Sequence, residues 1–158
     1  MSAPSFTDPT IETRGEQHLA VVRETVALAD IPALYDRAFP LIFAALGRAG
    51  VEPVAPPLGI SHRMPAETLD LSVAVPVAEP FADDGEVAGE TLPAGRAATV
   101  LVRGEYDQIA PAYEHLFGWV AAQGLVPTGI AWEQYLTEPS PGGDPSRTET
   151  LVGVDLVG

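Results

Sequence analysis

The 158 residues contain no cysteine, no lysine and only three histidines. Missing thiols exclude disulfides, thiolate catalysis and cysteine-bound metal, and fit the cytoplasmic location expected here. All eight basic residues are arginine, against 22 acidic ones, for a formal net charge of −14. Nucleic-acid affinity rests on basic contacts, so this balance argues against direct nucleic-acid binding. It suits cationic or neutral small partners. No basic segment followed by an apolar run opens the chain, so no secretory signal is expected. No 18-residue apolar run exists, so no membrane span is expected. His18, His62 and His115 form no ligand spacing. With no HExxH and no acidic calcium loop, neither metal nor cofactor is expected. Gly85, Gly89 and Gly95 do not form a dinucleotide or Walker loop, and Ser61 and Ser72 sit in no G-x-S-x-G setting.

What is present is enough for a core: 46% of residues are hydrophobic and 19% charged. The length fits one domain, residues 10–158, after a polar arm at residues 1–9. His18 to Thr25 reads as a strand. Leu34 to Ala49 reads as a helix, with Asp30 as its cap and Pro32 in its first turn. Its apolar stripe is Tyr35, Phe39, Ile42, Phe43 and Leu46. Leu58 to Met64 and Thr68 to Val77 read as strands, the second with Leu69, Leu71, Val73, Val75 and Val77 on one face. Pro76 suggests an edge or an end there. Val87 to Leu92 and Ala97 to Arg103 follow, then a helix with the stripe Ile109, Tyr113, Leu116, Phe117 and Val120. Asp107 or Gln108 is its expected cap. The last strand, Glu149 to Val157, is interrupted by Gly153, where a bulge or a close backbone approach is expected.

The chain repeats itself. Phe39-x-x-Ile42-Phe43-x-x-Leu46-x-x-x-Gly50-Val51-x-Pro53 returns as Tyr113-x-x-Leu116-Phe117-x-x-Val120-x-x-x-Gly124-Leu125-x-Pro127, at a constant offset of 74 residues. The expected fold is therefore α+β: tandem β-α-β-β repeats with pseudo-twofold symmetry, about 10–79 and 86–158. One antiparallel sheet carries two main helices, and the seam between them is a place for a pocket.

The most informative stretch is Ile130-Ala131-Trp132-Glu133-Gln134-Tyr135-Leu136. Strand alternation puts Ala131, Glu133 and Tyr135 on one face, with an acid beside an aromatic. Trp132 falls on the other face, under the helices or outside, unless a bulge reverses the parity. Glu133 can be an ordinary surface carboxylate. If its face lines the seam it is desolvated, and burial is costly without a partner. A cationic ligand would be that partner, helped by cation–π attraction. Burial also raises a carboxyl pKa, which suits a general acid or base. Both a receptor and an enzyme fit. Tyr106 in a turn and Trp119 off its helix stripe are further pocket candidates. Phe39, Phe43, Tyr113 and Phe117 must first cover a sheet. Aligning Gly59 with Gly129 pairs Arg63 with Glu133, and a two-residue gap pairs Ser61 with it. Either leaves His62 off the Glu133 face.

These residues resemble the GyrI-like small-molecule-binding family, the effector-binding domain of multidrug-responsive bacterial regulators. The resemblance is carried by Pro93-Ala94-Gly95-Arg96-Ala97-Ala98, Gly104-Glu105-Tyr106, Tyr113-x-x-Leu116-x-x-Trp119, Trp132-Glu133-x-Tyr135-Leu136-Thr137-Glu138-Pro139 and Leu71-x-Val73-x-Val75-Pro76-Val77. It implies a groove with an acid at its base, Glu133, and aromatic walls. Tyr135, Tyr106, Trp119 and Tyr113 would line it, with Phe43 and His62 as secondary candidates. Where the family often has Tyr before His, this chain has Ser61-His62. The resemblance implies a stand-alone member, a monomer or weak homodimer, that binds bulky hydrophobic, often cationic aromatic compounds. It also includes hydrolases of cyclopropane-bearing alkylating compounds, in which Glu133 and Tyr135 would be catalytic, and proteins that act on a topoisomerase.

Overall fold

A computed structural model describes residues 6–63, 66–104, 109–137 and 149–157. The elements are β1 (Thr10–Arg14), β2 (Gln17–Ala27), α1 (Ile31–Ala49), β3 (Leu58–Ser61), β4 (Thr68–Val77), β5 (Ala88–Leu92), β6 (Gly95–Arg103), α2 (Ile109–Ala122), β7 (Pro127–Tyr135) and β8 (Glu149–Leu156). The strands form one antiparallel sheet in the order β1-β6-β8-β7-β3-β4-β2-β5. The fold is α+β, with two helices on one sheet, as the repeat implied. No helix among the described residues is long and apolar enough to cross a membrane.

Helix α1 is entered through a short 3-10 turn, and Asp30 occupies its N-cap position without making a side-chain capping bond. The expected capping role is therefore absent; the turn itself leads the chain in. Gly50, at φ 67°, ends the helix in the left-handed conformation that glycine adopts without steric cost. The expected caps of α2, Asp107 and Gln108, lie outside the described residues.

The helices bury a narrower stripe than their aromatics suggested. Leu34, Ala38, Ile42, Ala45 and Leu46 pack on β2 and β4. Ile109, Ala112, Leu116 and Val120 pack on β6 and β8. Each fully buried Leu or Ile contributes roughly 1.5–3 kcal/mol. Alanines let the helices sit close to the sheet, so Tyr35, Phe39, Tyr113 and Phe117 are displaced to the flank and only partly buried. On β4, Leu69, Leu71, Val73, Val75 and Val77 do face α1. Pro76 is not at an edge: β4 lies between β3 and β2. Its missing amide is tolerated because the pairing of β3 with β4 stops at Ala74, leaving Pro76 opposite only Leu19 of β2.

The edge strands are exchanged. β1 precedes the first helix yet pairs with β6, and β5 follows β4 yet pairs with β2. β5 and β6 are three chain steps apart, Leu92 to Gly95, but six places apart across the sheet. Six strand spacings in a flat sheet would be about 29 Å, while three steps reach about 11 Å. The sheet must therefore curl. A second core of Leu19, Val21, Leu58, Ile60, Ala74, Leu92, Ala97 and Trp132 fills the face away from the helices. Arg14 ties the curl shut. It donates to the Pro93 carbonyl and the Asp155 carboxylate, and its guanidinium lies 5.0 Å from the centre of the Trp132 ring. At Gly153 the structure shows neither the expected bulge nor a backbone approach: the strand is regularly paired, and it is this same indole side chain that needs the space, since a Cβ there would stand 2.3 Å from Trp132 Cε2.

β3 and β7 meet at the centre of the sheet. Their register pairs Leu58 with Gln134, Gly59 with Glu133, Ile60 with Trp132 and Ser61 with Ala131. The 74-residue offset maps Gly59 onto Glu133, so the pseudo-twofold axis passes through that one pair. This replaces the alignment of Gly59 with Gly129. Gly129, at φ 100°, belongs to an irregularity between Pro127 and Ala131 of β7. It ends before Glu133, so the alternation from Ala131 to Tyr135 is undisturbed. Leu136 lies just beyond the strand.

Candidate functional site

α1 rests on β2 and β4 and α2 on β6 and β8, so the central pair β3–β7 forms the floor between the two helices. Glu133 rises from that floor at the axis. Its face is the helix side: Ala131, two residues earlier, belongs to the core under α2. Trp132 belongs to the core on the other side.

Three tyrosines from three elements converge on the carboxylate. Tyr135, on β7 itself, lies 2.8 Å from Glu133 Oε2 through its hydroxyl. Tyr113, from α2, faces the same carboxylate and favours its charged form. Tyr35, from the first turns of α1, places its hydroxyl 2.7 Å from that of Tyr135. The Tyr35 and Tyr135 rings meet edge to face at 5.8 Å. The Pro53–Pro57 loop seats the end of β7: the Pro57 carbonyl accepts from the Tyr135 amide at 3.0 Å, and the Pro56 carbonyl from Gln134 Nε2 at 3.0 Å.

Gly59 makes room for this arrangement. A Cβ there would lie 1.9 Å from the Tyr35 hydroxyl oxygen and 3.4 Å from that of Tyr135. The position opposite Glu133 must be glycine for Tyr35 to reach the site.

No cation among the described residues pairs with Glu133. Burial raises its pKa, and the hydrogen bonds from Tyr135 and Tyr113 act in the opposite direction. The same burial, and then the nearby carboxylate, push the Tyr35, Tyr113 and Tyr135 phenols upward. All three are therefore neutral donors at physiological pH. The Tyr135 phenol occupies part of the carboxylate's accepting capacity, and among the described side chains no cation takes the rest.

Aromatic rows run along both helix flanks above the floor. Tyr35 and Phe39 lie 5.7 Å apart, Phe39 and Phe43 6.3 Å, and Tyr113 and Phe117 6.3 Å, all between ring centres. Phe43, 47% exposed, is the outer end of its row. Trp119 stands elsewhere. At about 100° per residue it is roughly 200° around α2 from Phe117, on the flank that carries His115, which packs on Phe6 at 5.0 Å. His62 is on the other face of the sheet, where its Nε2 lies 2.8 Å from Ser72 Oγ and 3.3 Å from Glu90 Oε1. Tyr106 lies outside the described residues. The structure thus brings Glu133, Tyr135 and Tyr113 together, and adds Tyr35 and Gly59. Among the described residues, no three His, Asp or Glu side chains are grouped to hold a metal ion.

Known proteins share this architecture. EcmrR superimposes with a TM-score of 0.84 in its DNA complex, at 21% identity over 98% of this chain and 58% of that one. Its isolated C-terminal domain gives 0.83 at 20% identity, covering 95% of this chain and 97% of that domain. This chain thus spans little more than half of the longer EcmrR chain. SAV2435, in a structure with tetraphenylphosphonium bound, gives 0.70 at 13% identity, covering 96% and 95%. A hydrolase from Listeria innocua gives 0.68 at 12% identity, covering 94% and 91%. At these identities the likeness establishes the fold alone. No curated protein matches at the sequence level. The GyrI-like small molecule binding domain, however, matches residues 7–155. With an eight-stranded sheet, two helices and a groove between them, this chain belongs to the GyrI-like small-molecule-binding family.

Proposed function

We propose that the groove binds bulky hydrophobic aromatic small molecules, cationic ones by preference, as a multidrug-binding or sequestering protein. One observation carries this reading: Glu133 is half-buried between two helices, with neutral phenols around it and no cation among the described residues to pair with it. A buried carboxylate is costly unless something pairs it. A ligand cation between the Tyr35–Phe39–Phe43 and Tyr113–Phe117 rows would meet that charge and the electron-rich ring faces together. Tetraphenylphosphonium, bound by the structural relative SAV2435, is a cation of this kind. Tyr106, Trp119 and His62 are not needed for this reading.

The test is a titration with a cationic rhodamine, followed by fluorescence polarisation and displaced by tetraphenylphosphonium. Saturable, displaceable binding supports the reading. Absence of binding by several lipophilic cations of different size refutes it.

A second reading is hydrolysis of a strained electrophile such as a cyclopropane-bearing alkylating compound. It is favoured by the raised pKa of Glu133, which makes it a better proton acceptor than an ordinary carboxylate, and by Tyr135 in hydrogen-bond contact with it. The Listeria innocua relative is a hydrolase. Product analysis after prolonged incubation separates the two: intact ligand recovered quantitatively excludes turnover of that compound.

A further inference from the structure

We propose that Tyr35 is a specificity-determining positioning residue of the groove, and that position 59 is glycine in order to seat it. The inference rests on the reading of the groove as a cation-preferring site.

Proton counting gives the argument. The Tyr135 hydroxyl has one hydrogen, and among the described residues its close oxygen neighbours are Glu133 Oε2 at 2.8 Å and Tyr35 Oη at 2.7 Å. An ionised carboxylate can only accept. The Tyr135 hydroxyl is aimed at both oxygens and can serve only one at a time. Whenever Glu133 is charged it takes that hydrogen, and Tyr35 keeps its short contact only by donating in turn to Tyr135. The order Tyr35 to Tyr135 to Glu133 is then the one that satisfies both short contacts. Hydrogen bonds in such a chain polarise one another. Tyr35 therefore strengthens the bond that favours the charged form of Glu133, although it does not touch the carboxylate. When Glu133 is protonated this order is no longer imposed. Tyr35 acts selectively on the state that attracts a cation.

Gly59 is the second half of the device. It is the cross-strand partner of Glu133 at the axis, and its missing side chain is the space the Tyr35 hydroxyl fills. A Cβ 1.9 Å from that oxygen would force it out. Among the described residues, the groups that face Glu133 are Tyr35 from α1, Tyr113 from α2 and Tyr135 from β7. β3 presents Gly59, with no titratable side chain.

The experiment compares methyltriphenylphosphonium with its neutral carbon isostere, 1,1,1-triphenylethane, by calorimetric or competition titration across pH 5–9. The proteins are wild type, Tyr35→Phe, Gly59→Ala and the double variant. Tyr35→Phe is expected to weaken the cation about three- to tenfold, the range of one neutral hydrogen bond. It should leave the neutral compound unchanged and move the pH midpoint of cation binding upward. Gly59→Ala should do the same with the Tyr35 hydroxyl still present. The double variant should lose little beyond Tyr35→Phe, because the oxygen at 1.9 Å is gone and only the ring carbon Cζ, 3.1 Å from the added Cβ, has to give slightly; it also covers the case in which Gly59→Ala fails to fold. Equal losses for both compounds in Tyr35→Phe, an unmoved midpoint, or additive losses in the double variant would overturn the proposal. A wild-type protein that binds neither compound, or both equally, refutes the cation-site reading and this inference with it.

Discussion

Replacing Glu133 with glutamine removes one charge and nearly preserves shape. The glutamine carbonyl can still accept from Tyr135 and Tyr113, so the floor of the groove keeps its geometry. What is lost is the attraction for a ligand cation. For a charge centre about 5 Å away in an effective dielectric of about 20, that is roughly 3 kcal/mol, or about two orders of magnitude in Kd. A neutral isostere should change by less than about threefold. The assay is paired titration of cation and isostere at pH 8, where the carboxylate is most fully ionised. The unliganded protein should respond in the opposite sense. The folded-state pKa of Glu133 is raised. Below the ordinary carboxyl range both folded and unfolded chains are protonated there, and the residue has no effect. As pH rises, the unfolded chain ionises first, so stability falls until the folded carboxyl ionises too. Glu133→Gln should therefore raise Tm at pH 7, with the gain disappearing toward pH 4. A variant that binds the cation as well as wild type, or loses both ligands equally, refutes the charge argument. A variant less stable than wild type at neutral pH refutes the desolvation argument.

Cation affinity in the wild type should rise with pH through the raised Glu133 pKa and then level off, while affinity for a neutral isostere stays flat; a flat profile for both would remove the carboxylate from the account. Gly153→Ala places a Cβ against the Trp132 indole and should cost about 1–3 kcal/mol in urea unfolding, with altered tryptophan emission and little change in ligand affinity. Arg14→Met keeps a stem over Trp132 but strands Asp155, whose other side-chain donor among the described residues is Thr128 at 3.0 Å. It should cost about 3 kcal/mol, measured by the same unfolding transition. Ile42→Ala, at the fully buried centre of the α1 stripe, should cost about 2–5 kcal/mol by the same method.

Much of this architecture was legible because it is local or periodic. The 74-residue offset revealed the two halves, and strand alternation set the face of Glu133 and Tyr135. It held because the irregularity of β7 falls before Ala131. The exchange of β1 and β5 was not legible, since partner choice between strands depends on contacts far apart in sequence. Tyr35 was hidden for another reason. It shares the i, i+4 spacing of Phe39 and Phe43, which is also the spacing of a core face. Only the alanines at positions 38 and 45 show that the helix lies closer to the sheet and pushes its rings aside. A continuation of the 74-residue offset through Gly59 would have found the mate of Glu133. Trp119 was a candidate because it lies off its helix stripe, and that displacement carries it to the far flank of α2; His62, a secondary candidate already off the Glu133 face, stands on the reverse of the sheet.

The Gly59–Glu133 pair also shows how a duplicated chain can carry a single charge at its axis. Two identical half-domains assembled as a homodimer would carry the same residue twice at any self-paired position. They would present two carboxylates crowded together or two glycines with no charge. Joining the halves in one polypeptide lets the two copies diverge at that point. One contributes the acid and the other contributes empty space, so the fold holds an odd number of charges on an axis that strict symmetry would make even.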